Sequence, residues 1–162
     1  GCYCLMPNHF HFLLTQPDSG NISKFMQKIS TGYSMYYNIK YDRTGTLFEG
    51  KFRSKHINDD HYLKYLFSYI HLNPVKLIEP EWKEKGLVNK NKVLQYLQQY
   101  QFSSYLDYVD NIRPQAAILD RDDFPNYFLN KKSIFQKEIF EWLDYKEITL
   151  QARPVQVLPV RL

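Results

Sequence analysis

The chain has little sulfur chemistry to offer: two cysteines in 162 residues, Cys2 and Cys4, separated by one residue. In a strand, two such side chains are parallel neighbours on one face, which is poor geometry for a disulfide. The usual cysteine spacings of a structural zinc site are also missing. No apolar run approaches the roughly 18 residues that span a bilayer, and no signal-peptide pattern is visible. These absences predict a cytosolic protein with free thiols. There is no internal repeat and no low-complexity tract, which excludes solenoids and long linkers. Charge of one sign is also scarce. The net charge is +4, compatible with a polyanionic partner without demanding one. Nine Lys and Arg face six acids through residue 80, and twelve face eleven beyond it, so the excess lies in the first half.

Aromatic rings are plentiful, with 14 Tyr and 11 Phe, and hydrophobic residues make up 44% of the chain. Most of those rings must pack, so a tyrosine is notable only for its neighbours. The first informative stretch is Met6-Pro7-Asn8-His9-Phe10-His11-Phe12-Leu13-Leu14. It alternates like a strand, so His9 and His11 project from one face and Phe10 and Phe12 from the other. With residues 3–6 and a turn at Pro7-Asn8 it predicts a hairpin. Asn21 is a candidate cap for the next helix, in which Ile22, Phe25, Met26, Ile29, Tyr33 and Tyr36 predict one buried stripe. Residues 46–57 read as an extended basic strand or ribbon.

Residues 58–60 open a second helix with acids at its N-terminus, and Asn73-Pro74 predicts its end. On it Tyr69 and Asn73 are four apart and therefore adjacent. Two imidazoles and an amide oxygen can hold a divalent metal, and a phenol beside them can attack a phosphate. That set is suited to cutting one strand of nucleic acid. Tyr65 and Tyr62 are rival nucleophiles, Tyr65 reading as a packing residue, and His71 reads as a surface or DNA-contacting residue. Beyond Pro80, residues 82–87 read as a polar loop. Helices are predicted over 90–100, 102–108 and 131–145, the last with Ile134, Phe135, Ile139 and Trp142 inward. A non-helical tail is predicted over 151–162.

Three ordered blocks carry a resemblance: Cys4-Leu5-Met6-Pro7-Asn8-His9-Phe10-His11-Phe12-Leu13-Leu14; Gly45 to Arg53 with Leu47-Phe48 and Phe52-Arg53; and Tyr69-Ile70-His71-Leu72-Asn73-Pro74-Val75-Lys76. Together they resemble single-tyrosine transposases of the HUH endonuclease superfamily, more closely the REP-associated tyrosine transposase branch. Phe102-Ser103-Ser104-Tyr105 is similar to a block that follows the catalytic domain there. The resemblance implies an α+β fold with a ferredoxin-like βαββαβ antiparallel sheet and helices on one face. Such a fold has a strand and helix ahead of the Cys-Leu-Met-Pro block, so strand edges are expected to be unpaired here. It implies a catalytic domain over 1–80 and a helical region over 81–162 that recognises a DNA hairpin or covers the sheet.

By the same resemblance, His9, His11 and Asn73 hold Mg²⁺ or Mn²⁺. Tyr69 attacks single-stranded DNA beside a hairpin in a repetitive palindromic element and remains as a 5′-phosphotyrosine. The expected setting is the bacterial cytoplasm, at the nucleoid, as monomer or homodimer. Lys40, Arg43, Lys51, Arg53 and Lys55 are candidates for phosphate contact, and Phe48 and Phe52 for core or base stacking. Two other classes stay open: a catalytically inactive DNA-hairpin-binding relic, and a small protein whose His9 and His11 join the cysteines in a metal site.

Overall fold

The computed structural model describes residues 1–16, 18–109, 113–120 and 132–141. The hairpin is present: β1 (Cys2–Leu5) pairs antiparallel with β2 (Phe10–Leu13), with Cys4 opposite His11 and Cys2 opposite Leu13. Cross-strand partners share a face, so Cys2, Cys4, His11 and Leu13 look the same way. Cys2, Cys4 and Leu13 enter the core from this face. Phe10 and Phe12 pack together on the other, with ring centroids 4.9 Å apart. Helices make up most of the remainder, so the fold is α+β and rich in helix.

Helix α1 (Asn21–Lys40) forms where its spacing predicts, but its stripe is not buried. Only Met26 is enclosed, while Phe25, Tyr33 and Tyr36 are 40–56% exposed. The period correctly marks one apolar face; a partner for that face is a tertiary fact that periodicity does not contain. Asn21 does not cap the helix either. Gly20 occupies the cap position at φ 84°, and Gln16 Oε1 accepts from the Ile22 N–H at 3.1 Å. The basic segment that follows forms no regular strand: Leu47 is buried, Phe48, Phe52 and Ile57 are half-buried, and residues 49–51 and 53–56 are exposed. Phe48 packs edge-on to Phe10 at 5.9 Å and lies 6.1 Å from Tyr33.

Helix α2 (Asp60–Leu72) is the centre of the molecule. Asp59 caps it, its carboxylate accepting from the Tyr62 N–H at 2.6 Å. Every residue from Tyr65 to Leu72 is buried, on all sides of the helix. The α-helix ends at Leu72, as Asn73-Pro74 predicts, and the chain continues in a tighter turn. Asn73 keeps φ −54° and ψ −38°, and a 3₁₀ turn runs over Asn73–Leu77. Residues 82–87, expected as loop, hold a short helix α3 (Trp82–Lys85) anchored by buried Trp82. Helix α4 (Lys90–Gln99) follows, capped by Asn89.

The segment expected as a helix over 102–108 divides in two. Helix α5 is only Tyr105–Tyr108. Residues 102–104 run along the free edge of β1: Cys4 bridges Ser103, the Leu5 N–H donates to Phe102 O at 2.8 Å, and the Ser104 N–H donates to Tyr3 O at 3.0 Å. The edge of β1 expected to be bare is therefore satisfied by the chain's own later segment. Helix α6 (Lys132–Glu141) places Phe135 and Ile139 in the core, with Ile134 half-buried. Trp142, the rest of the helix expected to 145 and the tail over 151–162 lie outside the described residues. One core cluster takes side chains from both sides of Pro80, including Cys4, Phe67, Ile70, Val93, Leu97, Tyr105 and Phe135.

Candidate active site

The strand and the central helix meet where the His9-Phe10-His11 face reaches the end of α2. The rings of His9 and His11 stand edge to face, 4.9 Å apart. His11 is buried, and its Nε2 accepts from the Asn73 side-chain amide at 3.0 Å. Tyr69, one turn before Asn73, presents its ring edge-on to His11 at 5.9 Å. So β2 and α2 bring His11, Tyr69 and Asn73 together, with His9 joined through His11.

The donor set fits a small divalent cation. Asn73 is fully buried, yet its Oδ1 has no hydrogen-bond partner, a vacancy that ordinarily costs about 1–3 kcal/mol. Adjacent ligands on an octahedral cation, each about 2.1 Å out, lie about 3.0 Å apart. The Asn73 amide already sits at that separation from His11 Nε2, so turning the carboxamide over presents an oxygen there. The His9 Nδ1–H donates to Asn8 Oδ1 at 2.7 Å. This second hydrogen bond orients the ring and leaves Nε2 as the ligating nitrogen. Burial, with Lys76 and Lys83 nearby, lowers the His9 pKa and favours the neutral form a metal requires. A site built on the cysteines has no such support. Cys2 and Cys4 are buried thiols whose pKa values burial drives upward. Among the described residues, no three His, Cys, Asp or Glu side chains gather as a metal site.

Tyr69 is only 6% exposed, and burial pushes its pKa up to about 12, while a hydrogen bond from Asn73 opposes the rise. Tyr62, Tyr65 and Tyr69 stack along α2 at 6.3 and 6.0 Å. Lys83 of α3 places Nζ 2.6 Å from the Tyr69 hydroxyl and 3.9 Å from its ring centroid. Sequence reasoning missed Lys83 because a lysine in a polar stretch carries no positional signal until α3 folds onto α2.

His71 corrects a second expectation. It is no surface residue: it is fully enclosed, with Nδ1–H donating to Phe67 O at 2.9 Å and Nε2 accepting from Ser104 Oγ at 2.8 Å. Burial lowers its pKa to about 3. Phe67, Tyr105, Tyr108 and Phe135 surround the ring. Its i−4 carbonyl and the downstream serine satisfy both nitrogens, a pairing that no local pattern reveals.

Of the five basic candidates, Arg53 and Lys55 line a cleft of about 120 Å³ with His11, Tyr69, Phe52 and Met26. Lys55 also lies over the Tyr62 ring at 4.3 Å. Lys51 is exposed on the same segment. Lys40 and Arg43 are not among the cleft residues and lie over rings at the α1 end: Lys40 over exposed Tyr36 and Tyr41, Arg43 over half-buried Tyr37.

Residues 2–73 match the family model described as transposase IS200 like. This segment belongs to that family. The match takes in the His9-Phe10-His11 strand and ends on Asn73, spanning the residues that the geometry brings together. No curated protein and no solved structure matches the chain. Membership points to a transposase-type function on DNA. Among the described residues no helix is long and apolar enough to cross a membrane.

Proposed function

We propose that the chain is a single-tyrosine DNA strand transferase of the REP-associated branch, cleaving and rejoining single-stranded DNA beside a hairpin. The observation that carries this reading is the convergence on His11: Asn73 bonded to its Nε2 at 3.0 Å and Tyr69 standing against its ring. His9, His11 and Asn73 would hold Mg²⁺ or Mn²⁺, which when bound supplies Lewis-acid polarisation of the scissile phosphate. Tyr69 Oη attacks phosphorus in line, the P–O3′ bond breaks, and a 5′-phosphotyrosine remains that conserves bond energy for rejoining. Arg53 and Lys55, beside Tyr69 in the cleft, hold the flanking phosphates, with Lys51, Lys40 and Arg43 extending the basic track. In this reading β1 and β2 are two strands of a ferredoxin-like βαββαβ sheet, and the protein works in the bacterial cytoplasm as monomer or homodimer.

The test is covalent capture. Hairpin-bearing single-stranded DNA, incubated with the chain and Mn²⁺, yields a protein–DNA adduct that survives denaturation. The adduct vanishes in Tyr69→Phe and falls by at least about 10²-fold in His11→Ala. No adduct from the unaltered chain would overturn the reading. The burial and raised pKa of Tyr69 favour a second reading, an inactive hairpin-binding relic. Hairpin binding without adduct under the same conditions supports it.

A further inference from the structure

A buried phenol at neutral pH is a poor nucleophile, so the cleavage proposed above needs somewhere for the Tyr69 proton to go. We infer that Lys83 is the proton acceptor for Tyr69 in strand cleavage and the proton donor to it in rejoining, an assignment that rests on the strand-transferase reading. Nζ lies 2.6 Å from the hydroxyl oxygen, within direct proton-transfer distance. It lies over the ring, 3.9 Å from the centroid, and Tyr69 lines the cleft together with His11. The other polar neighbours are less suited. His11 Nε2 is engaged by Asn73, and Tyr65 is itself a phenol with a raised pKa.

The surroundings of Lys83 suit the role. Buried Trp82 anchors α3 at the adjacent position, so the amine is carried on a fixed turn. Lys76, from the 3₁₀ turn after α2, faces it and disfavours a second positive charge, while Glu84 on its own helix acts weakly the other way. Tyr69 faces it from α2, and its charge is felt at His9. Burial and Lys76 together bring its pKa down to about 7, so a large share of the molecules carry a free amine at neutral pH.

The proton balance closes. As the Tyr69 O–P bond forms, the phenol proton passes to the Lys83 amine. The P–O3′ bond breaks with its electron pair on O3′, which takes a proton from water. In rejoining, a 3′-hydroxyl attacks the phosphotyrosine, gives its proton to water, and the departing phenolate recovers its own from the Lys83 ammonium. The lysine begins and ends the cycle neutral.

The decisive measurement is single-turnover adduct formation on hairpin DNA across about pH 6 to 9, comparing the full chain with Lys83→Arg and Lys83→Met. The unaltered chain should show a rate that climbs with pH and levels off above about 7. Both variants should be slower at pH 7 by about 10²-fold or more, with no levelling near 7. A variant that keeps both the rate and the inflection overturns the assignment while leaving Tyr69 chemistry intact. No adduct from the unaltered chain overturns the transferase reading first and this role with it. A second readout needs no DNA: competitive acetylation of the unaltered chain by acetic anhydride should titrate Lys83 with a midpoint near 7. A midpoint near the ordinary lysine value of about 10.4 also overturns it.

Discussion

His71 shows how far one residue's role can depart from its chemical reputation. A histidine two positions from Tyr69 invites a functional reading, yet both of its nitrogens are spent inside the core, on Phe67 O and Ser104 Oγ. The enclosed ring stays neutral, with its pKa lowered to about 3, whereas in the unfolded chain it protonates near 6.5. The unfolded state therefore binds more protons between those values, and stability falls as pH drops through that window. Urea midpoints measured from about pH 7 to pH 4 should show this slope, and His71→Leu should flatten it while costing about 1–3 kcal/mol at pH 7 through the two buried hydrogen bonds lost to Phe67 O and Ser104 Oγ. Asn73 presents the opposite case, a buried carboxamide with one oxygen left over. The shared face of His9 and His11 and the adjacency of Tyr69 and Asn73 were legible in the strand and helix periods, whereas their meeting across the two elements was implied only by the family resemblance. The partners of His71 and Lys83 were not legible, since each comes from a segment that only tertiary packing delivers.

At the scale of elements, α1 and the segment after it form the exposed, positively charged side of the molecule. The helix carries Lys24, Lys28 and Lys40 and no acidic residue. Half-buried Tyr37 joins two exposed rings, Tyr41 just past the helix at 4.4 Å and Tyr33 at 6.1 Å. Rings beside cations are what single-stranded nucleic acid uses, through base stacking and phosphate contact. Tyr36→Ala and Tyr41→Ala should leave the urea midpoint nearly unchanged, within about 0.5 kcal/mol. Each should weaken binding to single-stranded DNA by about 1 kcal/mol or more, read by fluorescence anisotropy. Removing Arg53 and Lys55 together should reduce the slope of log affinity against log salt by about 1.4. Amphipathic spacing placed α1 correctly and misjudged what it faces. Alternation likewise found β2, while the same kind of pattern over residues 46–57 misled, because charge-rich extended sequence is equally content as irregular chain.

At the scale of the whole molecule, residues 100–113 hold the chain's first five residues in place. Ser104 Oγ accepts from the Tyr3 N–H at 2.9 Å and serves His71, Tyr100 donates its hydroxyl to Leu5 O at 2.6 Å, and Tyr108 donates to Gly1 O at 2.7 Å. Arg113 clasps Asp107 with two nitrogens and reaches Gln101 O, Ser103 O and the Tyr3 hydroxyl. The Asp107 side chain is fully enclosed, so Arg113→Ala strands a buried carboxylate and should cost about 3–5 kcal/mol. Urea unfolding would measure that loss, and the double variant Arg113→Ala/Asp107→Asn should recover part of it.

These fastenings bridge great lengths of chain: Tyr3 and Ser104 are 101 positions apart. Contacts so remote in sequence form late and slowly. During vectorial synthesis the hairpin leaves the ribosome long before the serine that secures its first strand. A nascent chain halted ahead of that serine would carry His9, His11, Tyr69 and Asn73 with their frame unlatched, so the geometry that joins them is timed to the arrival of the downstream clasp.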